Sequence, residues 1–414
     1  MKQDSNRQGA TVSVPFNSRS APGARRQFGL WSAALVLSLV AYGATNRAWQ
    51  ASGPQEQPAR PVLTEETQAM YNGWALLAAG DTAKAAGYAQ SVLDKYPRNI
   101  AAAALRVEAE IARGGGQAGL LAYENWLGGR KLEDGYLLRR AARAILWEAA
   151  GDAGVGIEAL QHLAADEDPE ARAQLARRMV AGGFGETRAL ARLGDQGAIQ
   201  RLIKQIETGE GSKMLQIEAL IQSKSPLAIP PLIKLLKDTN YPYHVAAAAD
   251  GLGTLGATQA IPELQQLYND PRQLSPTRLM AAAGLFKLND MTGIQLLMRN
   301  LTSSVPTMSI GTAQLMAGSN PGPEWRAAVQ KGLSDPDPAV RVMAAELLAL
   351  ADREASRAAL EQLLLDDNQV IREKASQAMV QKVVGDFGTF RRFLRSGDAL
   401  TRVQAGGRVL ELTR

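Results

Sequence analysis

The chain has 414 residues, with 46 lysines and arginines against 41 aspartates and glutamates, two histidines and no cysteine. This length fits two or three domains or one long repeat array, and the lack of cysteine excludes disulfides, thiolate metal sites and cysteine nucleophiles. The net charge of +5 comes from residues 1–50, where six basic side chains accompany one acidic one, so the remaining residues hold 40 of each sign. A neutral body argues against binding to nucleic acid, whose phosphate backbone attracts basic surfaces.

The N-terminal region predicts a membrane anchor. Residues 1–27 are polar and basic, which is typical of a disordered arm. Residues 28–44, at the start of the predicted span 28–48, are 17 residues without a charge, which as a helix would measure about 25 Å. With basic residues before it, this run predicts a single transmembrane signal anchor, with the N-terminus in the cytoplasm and the body on the periplasmic or another extracytoplasmic side. Residues 49–63 contain three prolines among polar residues and predict a linker.

Two alternatives for the N-terminal region stay open. A signal peptide could be cleaved after the small residues Ala41 and Gly43, or Arg25 and Arg26 could belong to a twin-arginine signal. Either alternative would make the body an exported soluble protein.

Residues 64–165 predict paired helices. The string from Gly80 to Asn99, GDTAKAAGYAQSVLDKYPRN, resembles the second helix of a tetratricopeptide repeat, and residues 70–79 resemble the first. Residues 99–127 and 133–164 keep helix–turn–helix spacing but lack most of that signature. The resemblance implies tetratricopeptide-like helical repeats over 64–165.

An internal repeat runs through residues 166–385. One leucine or valine recurs at steps of 30 to 33 residues, at Leu202, Leu232, Leu264, Leu297, Val329 and Leu360. Each period contains a helix with apolar residues at i, i+3 and i+4, followed by an alanine-rich helix. Neither helix can bury its apolar face alone, so neighbouring pairs must stack. The fold class is therefore all-α, an α-solenoid of stacked helix pairs preceded by the single transmembrane helix.

The repeats resemble a known family. The Ile-Pro that opens the first helix, the aspartate eight residues after Pro230 and after Pro262, and the string from Leu252 to Pro262 resemble HEAT repeats, most closely the short subtype named after phycobilisome lyases. This subtype occurs in scaffolds, chromophore lyases and metabolic hydroxylases, so the resemblance implies the fold and leaves the function open.

Acidic and basic residues six positions apart recur in the repeats. The resemblance to HEAT repeats implies that they form a hydrogen-bonded structural ladder between neighbouring repeats. The ladder residues are Asp166 and Arg172, Asp238 and His244, Asp335 and Arg341, and Asp366 and Arg372.

No catalytic, cofactor-binding or metal-binding residue is predicted. The two histidines, His162 and His244, are 82 positions apart and no helix pairs a histidine with a glutamate at metal-ligand spacing, which disfavours the di-iron hydroxylases built from these repeats. Residues 251–256 match GxGxxG, but they end an alanine-rich helix instead of following a strand. They are therefore predicted to be a repeat turn and not a nucleotide site.

Two later segments depart from the repeat pattern. Residues 303–325 are poor in helix formers and predict a loop or damaged repeat that acts as a hinge. Residues 386–414 are rich in arginine and predict C-terminal capping helices, or alternatively a basic surface for an acidic partner or anionic lipid.

Together these patterns predict a non-enzymatic, membrane-anchored scaffold or adaptor whose concave surfaces bind other proteins. The expected role is the assembly or stabilisation of a membrane or envelope complex, without cofactor, metal or nucleic acid. One alternative is a chromophore lyase or isomerase related to phycobilisome lyases, which only the family resemblance supports. Another is an adaptor at a cytoskeletal or lipid surface.

Overall fold

The computed structural model describes residues 65–128, 133–238, 240–317, 322–382 and 386–414. All regular structure within these ranges is helical, comprising 21 α-helices and two short 3₁₀ helices. This all-α repeat architecture fits an α-solenoid. The chain divides into two compact units, Met1–Ala109 and Glu110–Arg414.

The predicted membrane anchor requires correction. No helix in the part of the chain that the structure describes is long and apolar enough to cross a membrane. The segment predicted to do so, 28–48, lies outside the described residues, as do 1–27 and 49–63. The finding overturns the prediction of a single-pass protein that contacts the membrane through 28–48 and holds its body on the extracytoplasmic side.

The first unit contains α1 (Glu65–Ala78), α2 (Thr82–Lys95) and the start of α3 (Ile100–Leu127). Asp81 precedes α2 and its carboxylate accepts a hydrogen bond from the backbone N–H of Lys84 at 3.2 Å, which caps the helix. Ala85, Ala89 and Leu93 repeat every four residues and are buried, so α2 turns one apolar stripe toward the core of this unit.

Eighteen further helices of the second unit are described. They are α4 (Gly135–Ala149), α5 (Gly156–Ala165), α6 (Pro169–Val180), α7 (Phe184–Arg192), α8 (Gln196–Thr208), α9 (Lys213–Gln222), α10 (Ile229–Leu235), α11 (Pro242–Thr254), α12 (Ile261–Asn269), α13 (Ser275–Lys287), α14 (Ile294–Leu301), α15 (Pro306–Leu315), α16 (Pro323–Leu333), α17 (Pro338–Leu348), α18 (Arg353–Leu363), α19 (Gln369–Lys382), α20 (Phe387–Leu394) and α21 (Ala399–Leu412). The 3₁₀ helices, Pro226–Ala228 and Thr258–Ala260, precede α10 and α12.

From α8 onward the helices alternate between two kinds. We call α8, α10, α12, α14, α16, α18 and α20 the A helices, and the helix that follows each of them its B helix. Proline at the first helical position, as at Pro338, suits the start of a B helix because that N–H needs no partner. Asp337 caps this helix through the N–H of Ala339 at 2.8 Å.

Consecutive B helices α9, α11 and α13 approach very closely. A side chain added at Gly253 of α11 would place its Cβ 2.6 Å from Gly284 Cα of α13, and one at Gly251 would lie 2.3 Å from Ile221 Cδ1 of α9. Gly256 follows in the turn with φ +68°. The GxGxxG string therefore packs helices together at its start and forms a turn at its end. The turn agrees with the prediction from the sequence, and the helix packing was not predicted.

The second unit closes on itself. The last B helix, α21, packs against α4 and α5, and Val403 and Leu410 of α21 belong to the same buried cluster as Leu146 and Leu160. We call this packing of α20 and α21 on residues 110–165 the closing contact. Because of it, both ends of the helical array bury apolar side chains against each other.

Part of the segment 303–325, for which a loop or damaged repeat was predicted, is helical. Residues Pro306–Leu315 form α15, and Trp325, which is buried, donates from Nε1 to the carbonyl oxygen of Ala313 at 2.8 Å. The core instead divides at α13, where Ala281 belongs to one buried cluster and Ala282 to the next. Tertiary burial of α15 outweighs the weak helix propensity of its sequence.

A glycine pair tests the helix packing. We expect Gly253→Ala to lower the free energy of unfolding by about 1–3 kcal/mol, because its Cβ would force two helix backbones apart. Gly311→Ala is the control, since no atom lies within 4 Å of the added Cβ in α15, and it should stabilise the protein by about 0.5–1 kcal/mol. Urea unfolding followed by circular dichroism measures both changes. Equal effects of the two substitutions would contradict the close approach.

Candidate functional site

Exposed apolar side chains concentrate on one edge of the array. The turns from each A helix to its B helix lie along the same edge, because antiparallel pairs stack in parallel register; we call it the turn edge. Among the described residues of 196–398, eight large apolar residues are exposed here and three at the opposite edge. The eight are Leu215, Tyr241, Tyr243, Leu274, Val305, Met308, Leu365 and Val370, and the three are Leu227, Met291 and Leu350.

Two members of the turn edge are especially exposed for apolar side chains. Tyr243 is 72% exposed and Leu365 is 78% exposed. Tyr241 is held in place, since its ring stacks on His244 with centroids 5.1 Å apart and the Lys213 ammonium lies 5.3 Å from its centroid. Apolar side chains exposed along one edge provide the kind of surface that protein interaction sites use.

The arginines of two predicted ladder pairs fasten the turns to the helices. Arg341 Nη1 donates to the carbonyl oxygens of Asp335 at 2.9 Å and Pro336 at 3.0 Å. Arg372 Nη1 donates in the same way to the carbonyl of Asp366 at 2.7 Å. The spacing of six residues therefore joins a guanidinium to the backbone of the turn, which satisfies carbonyls that the ending A helix leaves open.

The aspartates of these pairs contact different groups. The carboxylates of Asp335 and Asp366 each accept from the backbone N–H two residues on, at 2.9 Å. Asp366 also lies 3.6 Å from Arg341 Nη2 of the preceding repeat, and Asp238 lies 3.6 Å from Lys213 Nζ in the same relation. These two ion pairs link neighbouring repeats. That such pairs form a ladder that stabilises the array stays a prediction.

Asp166 is the centre of a different arrangement. Its side chain is 1% exposed, and its two carboxylate oxygens accept from Arg139 Nη2 at 2.7 and 2.6 Å. Arg143 Nη1 lies 3.2 Å away and Arg414 Nε 3.6 Å away. Arg172, six residues on, is exposed and is not bonded to Asp166. A buried carboxylate requires such pairing because an unpaired one is costly to desolvate.

His244 does not reach Asp238. Its Nδ1 is buried without a hydrogen-bond partner among the described residues, while Asp238 accepts from the N–H of Asn240 at 3.3 Å. Burial lowers the pKa of His244, and the charge of Lys213 lowers it further, against a smaller opposing effect of Asp238.

Arginines of residues 386–414 pair within the chain. Arg391 contacts Glu124 Oε1 and Glu133 Oε1, each at 3.1 Å, and Arg395 Nε donates to Glu124 Oε1 at 3.0 Å. Arg402 Nη1 donates to the carbonyls of Ser396 at 2.6 Å and the next residue at 3.0 Å, which repeats the arrangement of Arg341. Sequence reasoning missed Arg402 because serine stands where the other repeats have aspartate.

Acidic and histidine side chains are scattered. In the described ranges, no three of them are grouped so as to hold a metal ion. That the chain has no catalytic residue, cofactor or metal stays a prediction.

Asp166 and Arg172 offer a matched test of the two kinds of contact. We expect Asp166→Asn to lower the free energy of unfolding by about 2–3 kcal/mol, because three guanidinium groups would lose their buried charge partner. Arg172→Ala should change it by less than about 0.5 kcal/mol, as for an ordinary surface residue. Urea denaturation of each variant gives these values. Comparable losses would show instead that the pair six residues apart stabilises the protein.

His244 gives the fold a pH dependence of known sign. Because its pKa in the folded chain lies below the unfolded value of 6.5, the folded state binds fewer protons, so stability is full above that value and is lost as the pH falls below it. We expect the free energy of unfolding to decline more steeply between pH 7.5 and 5.5 in the natural chain than in His244→Gln. Urea titrations at three pH values measure the slopes, and equal slopes would contradict the assignment.

Comparisons with known proteins identify the repeats. The family model described as HEAT repeats matches residues 212–285, 229–317 and 294–380, which confirms HEAT repeats over 212–380. The tetratricopeptide-like region 64–165 and the phycobilisome-lyase subtype stay predictions. No curated protein matches the chain. Among solved structures it is similar to human deoxyhypusine hydroxylase in complex with glycerol, with 16% identity, 62% of this chain and 96% of that chain covered, and a TM-score of 0.27; likeness at this level carries no conclusion about this chain.

Proposed function

We propose that this chain, whose residues 212–380 are HEAT repeats, is a non-enzymatic scaffold that binds other proteins along the turn edge. The observation that carries the proposal is the concentration of exposed apolar side chains there, with few at the opposite edge. The sequence alone favoured concave surfaces for this role; the distribution of exposed residues favours the turn edge.

Rigid turns support the proposal. Arg341 and Arg372 bond the turn backbones, and the closing contact joins the two ends of the array. A surface that is already ordered loses less conformational entropy when a partner binds. The turn edge is therefore pre-organised for binding.

Tyr241 and Tyr243 are the best candidates for anchor residues. Tyrosine is enriched among the residues that contribute most to protein binding, and Tyr243 has most of its surface exposed. Pro242 lies between them at the start of α11 and fixes the backbone there.

The charged groups that the sequence singled out support a structural and not a catalytic role. Asp166, Arg341 and Arg372 bond to other groups of the same chain. A general acid or base must instead reach a bound substrate.

Matched variants of the two edges test the proposal. The full chain is purified from its native source, stoichiometric partners are identified by mass spectrometry, and their affinity is measured by calorimetry. We expect the double variant Tyr241→Ser, Tyr243→Ser to weaken binding at least about tenfold, as loss of anchor residues does.

The control is the double variant Met291→Ser, Leu350→Ser, which changes two residues of similar exposure at the opposite edge. It should bind as tightly as the natural chain. Loss of binding only in this control would indicate that the interface lies at the opposite edge. Equal binding by the natural chain and both double variants would refute an apolar interface at the turn edge.

A further inference from the structure

Charge is distributed unevenly along the turn edge. Two consecutive turns, 333–339 and 364–370, contain four aspartates and no basic residue, and we call them the acidic turns. The turn before them, 301–308, has no charged residue, and the B helices that follow these three turns contact one another in succession. The three turns nearer the N-terminus balance three acidic with three basic residues. They are 209–213, 236–241 and 269–274. The acidic turns are therefore the negatively charged part of this edge.

The nearest arginines hold the two acidic turns together. Arg341 Nη1 donates to the carbonyl oxygen of Asp335 in its own turn at 2.9 Å, and its Nη2 lies 3.6 Å from the carboxylate of Asp366 in the next. Arg372 Nη1 donates to the carbonyl oxygens of Asp366 at 2.7 Å and Asp367 at 2.8 Å. Both guanidinium groups are thus bonded to the turns themselves, and the two turns lie side by side.

Exposed carboxylates and exposed apolar side chains occur together in the acidic turns. Asp337 and Asp367 are exposed, as are Leu365 and Val370, by 78% and 54%. The uncharged turn beside them adds the exposed Val305 and Met308. A purely apolar partner would bury the two carboxylates without a partner, which is costly. A purely basic partner would leave the apolar side chains in water, so the surface fits a partner that has both kinds of side chain.

We propose that the acidic turns bind a segment of a partner protein in which basic and apolar side chains alternate. This inference rests on the proposed function, in which the turn edge is the protein interface. Basic side chains of the segment pair with Asp337 and Asp367, and its apolar side chains cover Leu365 and Val370. Complementary charge speeds such an encounter and selects against acidic partners.

The spacing of the repeats sets the length of this segment. Packed helices lie about 8–10 Å apart, and an extended chain advances about 3.3 Å per residue. A segment that crosses the acidic turns and the uncharged turn 301–308 therefore has about seven residues.

Three synthetic peptides of about eight residues test the chemistry of the partner. Peptides of alternating arginine and leucine, glutamate and leucine, and arginine and serine, each with blocked ends, are titrated into the full chain by calorimetry at low salt. We expect the arginine–leucine peptide to bind at least about tenfold more tightly than either of the others, because it alone matches both the charge and the apolar side chains. Undetectable binding of this peptide, or equal affinity for one of the other two, would overturn the proposal.

Matched variants locate the binding. The double variant Asp337→Asn, Asp367→Asn should weaken binding of the arginine–leucine peptide about fivefold, as for two exposed ion pairs, and should lessen the salt dependence of binding. Asparagine can replace the aspartate that caps α17. If circular dichroism shows that the double variant does not fold, Asp367→Asn alone decides, and unchanged affinity in that variant would overturn the proposal.

The control is the double variant Asp352→Asn, Glu354→Gln near the opposite edge. It likewise removes one exposed carboxylate that caps a helix and a second exposed carboxylate, so it changes the net charge by the same amount. This control should bind the arginine–leucine peptide as tightly as the natural chain. Equal losses in the two double variants would show that net charge, and not the acidic turns, attracts the peptide, and would overturn the proposal.

The partners that purify with the chain distinguish this inference from the proposed function. A partner that binds more weakly to both the double tyrosine variant and the double variant of Asp337 and Asp367 supports both. A partner that depends on the tyrosines but not on these aspartates overturns this inference and leaves the proposed function standing. Dependence on the aspartates alone supports the inference and places the interface at the acidic turns. Dependence on neither pair refutes both.

Discussion

The architecture of residues 110–414 depends on the inability of a short helix pair to bury its own apolar stripe. Each pair needs a neighbour on either side, and the small residues of the B helices let these neighbours come into backbone contact, most closely at Gly253 and Gly284. An array of such pairs would ordinarily have two exposed ends. The closing contact removes them, because Val403 and Leu410 at one end share a buried cluster with Leu146 at the other. Stacking and closure are thus two results of one requirement, the coverage of every apolar helix face.

Several arginines position turns and helices through hydrogen bonds within the chain. Arg341 and Arg372 bond turn carbonyls, and Arg391 joins helices far apart in the chain through Glu124 and Glu133. Such bonds are directional, whereas apolar packing is not. The apolar contacts therefore supply most of the stabilisation, and the arginines fix the angle and register at which helices meet. This division leaves large apolar side chains of the turn edge, such as Tyr243 and Leu365, exposed to solvent.

Local periodicity predicted more of this molecule than long-range chemistry could. The recurrence of Leu232 and Leu264 indicated the stacked pairs, and both are buried. The spacing of Asp166 and Arg172 could not show that Arg139 is the partner of Asp166. The Asp166 carboxylate accepts from this arginine of a neighbouring helix and not from the arginine six residues on. The pairing of Arg391 with Glu133, 258 positions apart, has no signal in a single sequence. At residues 306–315 propensity misled, since burial decides whether a weak helix former is helical.

Closure also constrains how this fold can vary. An open solenoid tolerates the gain or loss of a repeat, because the new unit only lengthens the stack. In a closed array an added pair would increase the circumference and change the angle at every junction, so α21 would no longer meet α4 in register. Geometry thereby restricts the number of repeats. Variation is confined to the turns, where insertions lengthen an edge without altering the circle of contacts.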